Sequence, residues 1–164
     1  MKNRLLFIAL AFIAQQAMTQ SQVDTPAYKR FPTVPPITIL QVDSTTLTKD
    51  KLKHQPTIIM YFSPDCDHCK HQWEDMKKDM DKLKKYQIVM ITHQPFDMMV
   101  DFYKKQQIAD YPNIKMGQDT KFILPPFYRM QSLPYLALYD KGGHLITTFE
   151  GNVKVEKLLS AFEK

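Results

Sequence analysis

The sequence predicts an α/β fold: a mixed central sheet with helices packed on it. Three observations carry that expectation. Apolar, β-rich runs at 57–62, 86–92 and 135–139 alternate with segments at 66–85 and 95–107 whose apolar residues recur at helical spacing. The Asp140-Lys141-Gly142-Gly143 turn joins the last two strands, adding an antiparallel edge to a core of strands joined by helices. At 164 residues and 44% hydrophobic content, the chain is one domain's worth and can bury a core unaided.

Residues 1–20 read as a targeting segment. Lys2 and Arg4 form a basic start, residues 5–14 an apolar run, and Ala17-Met18-Thr19 offers small residues at a cleavage site. The apolar run falls short of the ~20 residues of a spanning helix, so a signal peptide is the reading and an uncleaved anchor the alternative. The expected location is therefore periplasmic or otherwise secreted, with membrane contact only through such an anchor. Residues 21–36 are polar and proline-broken and predict an extended arm. The domain proper is expected over 37–164.

Within it, 37–42 alternates as a short strand. Asp43 to Thr46 supply cap-type residues, which predicts a helix over 47–54. Gln55-Pro56 closes it, and 57–62 is apolar enough for a central strand buried on both faces. In the segment 66–85, Trp73, Met76, Met80 and Leu83 form an apolar stripe opposite Lys77, Lys78, Asp81 and Lys82. A strand at 86–92 and a helix from Pro95 to Gln107 follow, then a break at Tyr111-Pro112-Asn113 and a short strand at 114–116. Residues 117–131 mix apolar and breaker signals. After Leu133-Pro134 come strands at 135–139 and 144–149, with Asn152 placed to cap a closing helix over 153–162. The ten methionines fall at core spacing and read as gap fillers.

Composition narrows the chemistry. With four glycines and neither a GxGxxG nor a GxxxxGK[ST] pattern, phosphate cradling has no support. The net charge of +5 falls to +3 without Lys2 and Arg4, and the remaining excess is interspersed with acids, so nucleic acid is not an expected partner. Both cysteines, Cys66 and Cys69, lie in Ser63-Pro64-Asp65-Cys66-Asp67-His68-Cys69-Lys70-His71-Gln72-Trp73, where a strand runs into a helix. That is the layout of a thiol–disulfide redox site. A purely structural bridge across so small a loop would add only about 2 kcal/mol. Thiolate at Cys66 is favoured by the helix start and by protonated His68, and disfavoured by Asp65 and Asp67. Cys66 is the expected nucleophile and Cys69 the resolving thiol.

The strand–helix order, the motif Phe62 to Lys70, Leu133-Pro134-Tyr135 and the 139–143 hairpin ahead of Phe149-Glu150-Gly151 resemble the thioredoxin fold, a three-layer α/β sandwich. Over 37–164 the chain is similar to the secreted TlpA/ResA-type branch, which adds an N-terminal strand and helix. The resemblance implies a thiol–disulfide oxidoreductase acting as reductant or exchange catalyst. Its partners would be protein thiols and disulfides and an upstream redox partner, and its only redox group the Cys66–Cys69 pair, with no separate cofactor. It further implies a cis Pro134 beside the cysteines, with Leu133 and its neighbours pairing with substrate backbone. Three positions depart from the family: Met60 and Gln72 stand where acids are usual, and Asp65 where an aromatic is usual. His68 occupies the slot of the histidine in Cys-Pro-His-Cys disulfide oxidases.

Three other readings compete. A copper or zinc module could use Cys66, Cys69 and His71, although donors this crowded on one turn close a tetrahedron poorly. A peroxidase of the peroxiredoxin type needs Thr-x-x-Cys, which Ser63-Pro64-Asp65-Cys66 half meets. A non-catalytic binding domain is disfavoured because both cysteines are kept together.

Overall fold

The computed structural model describes residues 25–163; the targeting segment expected at 1–20 lies outside them. In chain order the elements are α1 (Ala27–Arg30), β1 (Thr38–Gln41), β2 (Thr46–Thr48), a 3₁₀ turn (Lys49–Lys51), β3 (Thr57–Tyr61), α2 (Asp67–Lys78) and α3 (Met80–Leu83). Then come β4 (Gln87–Thr92), α4 (Phe96–Lys105), a 3₁₀ turn (Ile108–Asp110), β5 (Ile114–Gln118), α5 (Leu124–Tyr128), β6 (Tyr135–Tyr139), β7 (Leu145–Glu150) and α6 (Val155–Ala161).

One seven-stranded sheet runs β2-β1-β5-β4-β3-β6-β7. Only β3–β4 and β4–β5 pair in parallel; the other four pairings are antiparallel. The parallel core is thus three strands wide, narrower than strands joined by helices alone would give. Every residue of β3 and β4 is buried, because helices or loops cover both faces. Alternation along β3 divides the core. Ile58, Met60 and Phe62 join Cys69, Trp73, Met76, Met99 and Leu158 on one face, while Ile59 and Tyr61 meet Leu124 and Tyr128 on the other.

Four expectations are corrected. The described part of the 21–36 segment, from residue 25, is not simply extended: α1 forms a turn of helix, and the chain then docks on the β6–β7 hairpin. Thr33 bridges His144, the Val34 N–H donates to the Gly143 carbonyl, and Val34 and Pro35 are buried. The helix expected over 47–54 is instead β2 and a 3₁₀ turn. The Asp43 carboxylate accepts from both the N–H and the hydroxyl of Thr45, and Ser44 takes φ 63°, so the segment turns back as a hairpin. Leu47 then pairs with Ile39 and is buried, and β-branched Thr46 and Thr48 suit the strand around it.

The helix expected over 66–85 is interrupted at Asp79, which leaves helical geometry at φ −101° and ψ 21° and so divides α2 from α3. The fourth correction concerns Asn152, which does not cap the closing helix; Lys154 occupies that position, with no side-chain capping bond. The segment at 117–131 resolves into α5. Asp119 accepts from the Ile123 and Leu124 N–H groups, and Pro125 and Pro126 fall in the first turn, where their missing donors cost nothing.

Candidate active site

Local chemistry explains how Cys66 is placed. β3 ends at Tyr61, the Phe62 N–H still donates to the Ile91 carbonyl of β4, and buried Ser63 and Pro64 carry the chain off the sheet. Cys66 then takes the N-cap position of α2, with extended backbone (φ −80°, ψ 117°), and its sulfur accepts the Cys69 N–H at 3.3 Å. A thiol thus fills the role that a Ser or Asp oxygen usually plays at a helix start. Negative charge on that sulfur meets an unpaired N–H and the positive end of the helix.

The buried residues of α2 are Cys69, Gln72, Trp73 and Met76, spaced 0, 3, 4 and 7 as an amphipathic helix requires. That stripe seats Cys69 in the core while Cys66 stays half-buried at the surface. Burial, with the hydrogen bond to Cys66 adding to it, pushes the Cys69 thiol up to about 12. The two sulfurs are therefore unequal, one reachable and one held protonated. Trp73 anchors the helix below them. Its indole N–H donates to Gln106 Oε1 at 3.0 Å, and its ring meets Tyr111 edge-on at 5.5 Å.

The acids beside the motif are each engaged. The Ser63 hydroxyl donates to the Asp65 carboxylate and holds that carboxyl below the usual range. Asp67 is likewise lowered by the Lys70 ammonium, 2.9 Å away, which is itself raised by the contact. Lys70 is a site cation that the motif reading did not weigh. Its i,i+3 spacing from Asp67 was the available signal. It offsets one of the two negative charges that disfavour a Cys66 thiolate.

Across the site, the Leu133 carbonyl lies 4.0 Å from Cys66 Sγ, and the Leu133–Pro134 peptide is cis. The Tyr61–Tyr135 register between β3 and β6 brings these residues to the end of the strand that leads to the cysteines. Beside Leu133 lies an apolar recess of about 150 Å³, lined by Tyr61, His93, Phe122, Pro125 and Met130 among others. Phe122 is half exposed at its mouth, and the His93 ring stacks on Tyr61.

At Met60 and Gln72, the two positions where acids are usual, the structure shows what stands instead. Met60 is fully buried among the apolar residues of the Cys69 face. Gln72, also fully buried, makes a reciprocal pair with the backbone of one residue: its Oε1 accepts the Val153 N–H at 2.7 Å, and its Nε2 donates to the Val153 carbonyl at 3.0 Å. An ionised carboxylate could satisfy the first of these bonds and not the second. His68 is exposed and turns to Asn152, while His71 is exposed farther along α2. Among the described residues, no group of three or more His, Cys, Asp and Glu side chains is placed to hold a metal ion. Asn152 and the Gln72–Val153 pair were invisible to motif reading, because each joins residues more than eighty positions apart.

The sequence profile of the thioredoxin-like domain family matches residues 44–164. No curated protein sequence matches the chain. Among solved structures, a secreted Mycobacterium tuberculosis disulfide oxidoreductase homologous to E. coli DsbE superposes with a TM-score of 0.64 at 14% identity, over 78% of this chain and 95% of that one. StoA from Bacillus subtilis gives 0.60 at 20% identity, over 79% and 98%. The exposed lipoprotein thioredoxin Etrx1 from Streptococcus pneumoniae gives 0.61 at 20%, over 77% and 97%. At these identities the likeness is one of fold, and it is the fold of thiol–disulfide oxidoreductases. With its family profile covering most of the chain and its cysteines at the start of α2, this chain belongs to the thioredoxin-like domain family.

Proposed function

We propose that the protein is a thiol–disulfide oxidoreductase that exchanges the Cys66–Cys69 dithiol and disulfide with protein partners, as reductant or exchange catalyst. The observation that carries this is the asymmetry of the pair: a half-exposed sulfur at a helix N-cap above a buried thiol held protonated. Cys66 thiolate attacks one sulfur of a partner disulfide. The partner S–S bond breaks, a Cys66–partner mixed disulfide forms, and the departing partner thiolate takes a proton. Cys69 then gives up its proton and attacks Cys66 Sγ, which closes the Cys66–Cys69 disulfide and releases the second partner thiol. From the Cys66 thiolate onward the protein loses two electrons and the Cys69 proton; the partner gains the two electrons and takes up two protons, one matching that lost by Cys69 and one from solvent. An upstream dithiol returns the pair to its reduced form by the reverse steps.

In this reading the partner's backbone runs past Leu133 and Pro134, and a side chain next to its cysteine enters the recess beside Leu133. The basic and apolar N-terminal segment supports action outside the cytoplasm, where protein disulfides form. The chain lacking residues 1–20 is expected to accelerate insulin reduction by dithiothreitol, and Cys66→Ser to abolish the acceleration. A rate no faster than dithiothreitol alone, or a Cys66→Ser variant as active as the parent, removes the reading.

A further inference from the structure

The loop from β7 to α6 ties the two halves of the cysteine site together, one residue at a time. Glu150 Oε2 accepts from the Ser132 N–H at 3.1 Å, the Ser132 hydroxyl at 3.2 Å and the Gln131 N–H at 3.3 Å, holding the chain just before Leu133. The Gly151 N–H donates to the Pro134 carbonyl at 2.9 Å. Asn152 reaches His68, and Val153 is paired with Gln72 on α2. Four consecutive residues thus contact, in turn, the segment before Leu133, Pro134, and two residues one turn apart on the cysteine helix, His68 and Gln72. Gly151 makes the turn at φ +74°, a conformation that favours glycine.

Asn152 does more than bridge. Its Nδ2 donates to the His68 carbonyl at 2.7 Å, which fixes the orientation of the amide, since a flipped amide would set oxygen against oxygen. Its Oδ1 therefore faces His68 Nδ1, 3.2 Å away, and an oxygen there can only accept. His68 must carry its proton on Nδ1, leaving Nε2 with the free lone pair. This is the minor tautomer of a free imidazole in water. Asn152 and His68 are exposed, and the buried Gln72–Val153 pair anchors the backbone next to Asn152.

We propose that Asn152 is a positioning residue of the cysteine site, locking His68 as its Nδ1–H tautomer and pinning its ring to the β7–α6 loop. The consequence for redox chemistry rests on the dithiol reading above; the tautomer does not. With Nδ1–H drawn to Asn152, the ring of this residue between the cysteines is held in one place, so whatever support it gives the reduced, thiolate-bearing form depends on Asn152.

The test begins with long-range ¹H–¹⁵N NMR of the reduced chain at pH 8. His68 is expected to show a protonated Nδ1 and a bare Nε2, and Asn152→Ala to revert to the Nε2–H form. Asn152→Asp gives up the donor to the His68 carbonyl but keeps an acceptor at an exposed position, where the Nδ1–H is its remaining partner; it is expected to retain Nδ1–H and serves should the alanine variant fold poorly. In a glutathione redox buffer, Asn152→Ala is expected to shift the equilibrium at least about threefold toward the disulfide. In a His68→Ala background the same substitution should shift it less than about 1.5-fold. An Nε2–H His68 in the parent chain, or equal shifts in both backgrounds, overturns the proposal. A chain inert toward insulin whose His68 still shows the lock removes the dithiol reading and leaves the lock standing.

Discussion

Reduced protein treated with iodoacetamide at pH 8 is expected to take up one alkyl group per chain, on Cys66. Only thiolates react at a useful rate. With Cys69 raised to about 12, about one part in ten thousand of it is ionised at pH 8, against roughly a tenth of a thiol at its ordinary value of 9.0. Ionisation alone slows Cys69 by about three orders of magnitude, and its lack of exposed surface slows it further. Cys66 is half-buried at the surface, with a backbone donor on its sulfur. The sign of the pH dependence follows: labelling of Cys69 should climb about tenfold per pH unit toward 12. The same raised value means that folding contributes most below the ordinary thiol value of 9.0, and that this stability is lost as pH rises toward about 12. Peptide mass spectrometry after denaturation and a second label reads the ratio. Equal labelling of the two thiols at pH 8 would contradict the asymmetry on which the proposed mechanism depends.

Gln72→Glu is expected to destabilise the fold by about 1–3 kcal/mol at neutral pH, the cost of a buried polar group left without its partner. The parent amide satisfies both backbone groups of Val153, its N–H and its carbonyl, from a fully buried position. A carboxylate keeps the bond from the N–H but faces the Val153 carbonyl with no donor and with like charge. When protonated, the acid can make both bonds. The folded-state pKa of the introduced carboxyl is therefore raised, and the loss should be small near pH 4 and grow as pH rises through that value. Urea denaturation at pH 4.5 and 7.5 checks this; the same loss at both would show that the pair does not depend on an amide. In the ResA-type branch that this chain resembles, a Glu at this position belongs to the proton chemistry. Here the Gln binds a loop to the cysteine helix instead.

What could be read from the chain was what local patterns encode. Trp73, Met76, Met80 and Leu83 share one side of the α2–α3 segment because helical spacing brings them there, and the 135–139 run stands as β6 without change. Asp-Lys-Gly-Gly turns the last hairpin, with Gly143 at positive φ and Asp140 accepting from the Gly142 and His144 N–H groups. Errors arose where one local signal served two outcomes. Asp43 and its neighbours look like a helix start, yet the same carboxylate closes a turn onto β2, and only the pairing of Leu47 with Ile39 decides. Asn152 likewise has the composition of a cap, but its partner is the residue between the cysteines, eighty-four positions earlier. The Asp79 break and the docking of Val34 on the hairpin depend on tertiary packing and leave no periodic trace. At the site, the cysteines were legible from their spacing, and the place of Leu133-Pro134 beside them from the resemblance to the thioredoxin fold. The bracket at 150–153 was not, because each of its contacts is long-range and made by an ordinary polar residue or by backbone.

The central claim is that Cys66 and Cys69 interconvert as a two-electron dithiol–disulfide pair. The direct measurement is equilibration of the chain lacking residues 1–20 in glutathione buffers of stepped potential, with acid quenching and intact-mass readout of the loss of two hydrogens. The account predicts a single reversible transition with a slope of about 30 mV per decade, its midpoint in the range of about −270 to about −120 mV found for thioredoxin-fold proteins. A chain that stays reduced across that range, or that accumulates only a glutathione adduct on Cys66, would contradict it.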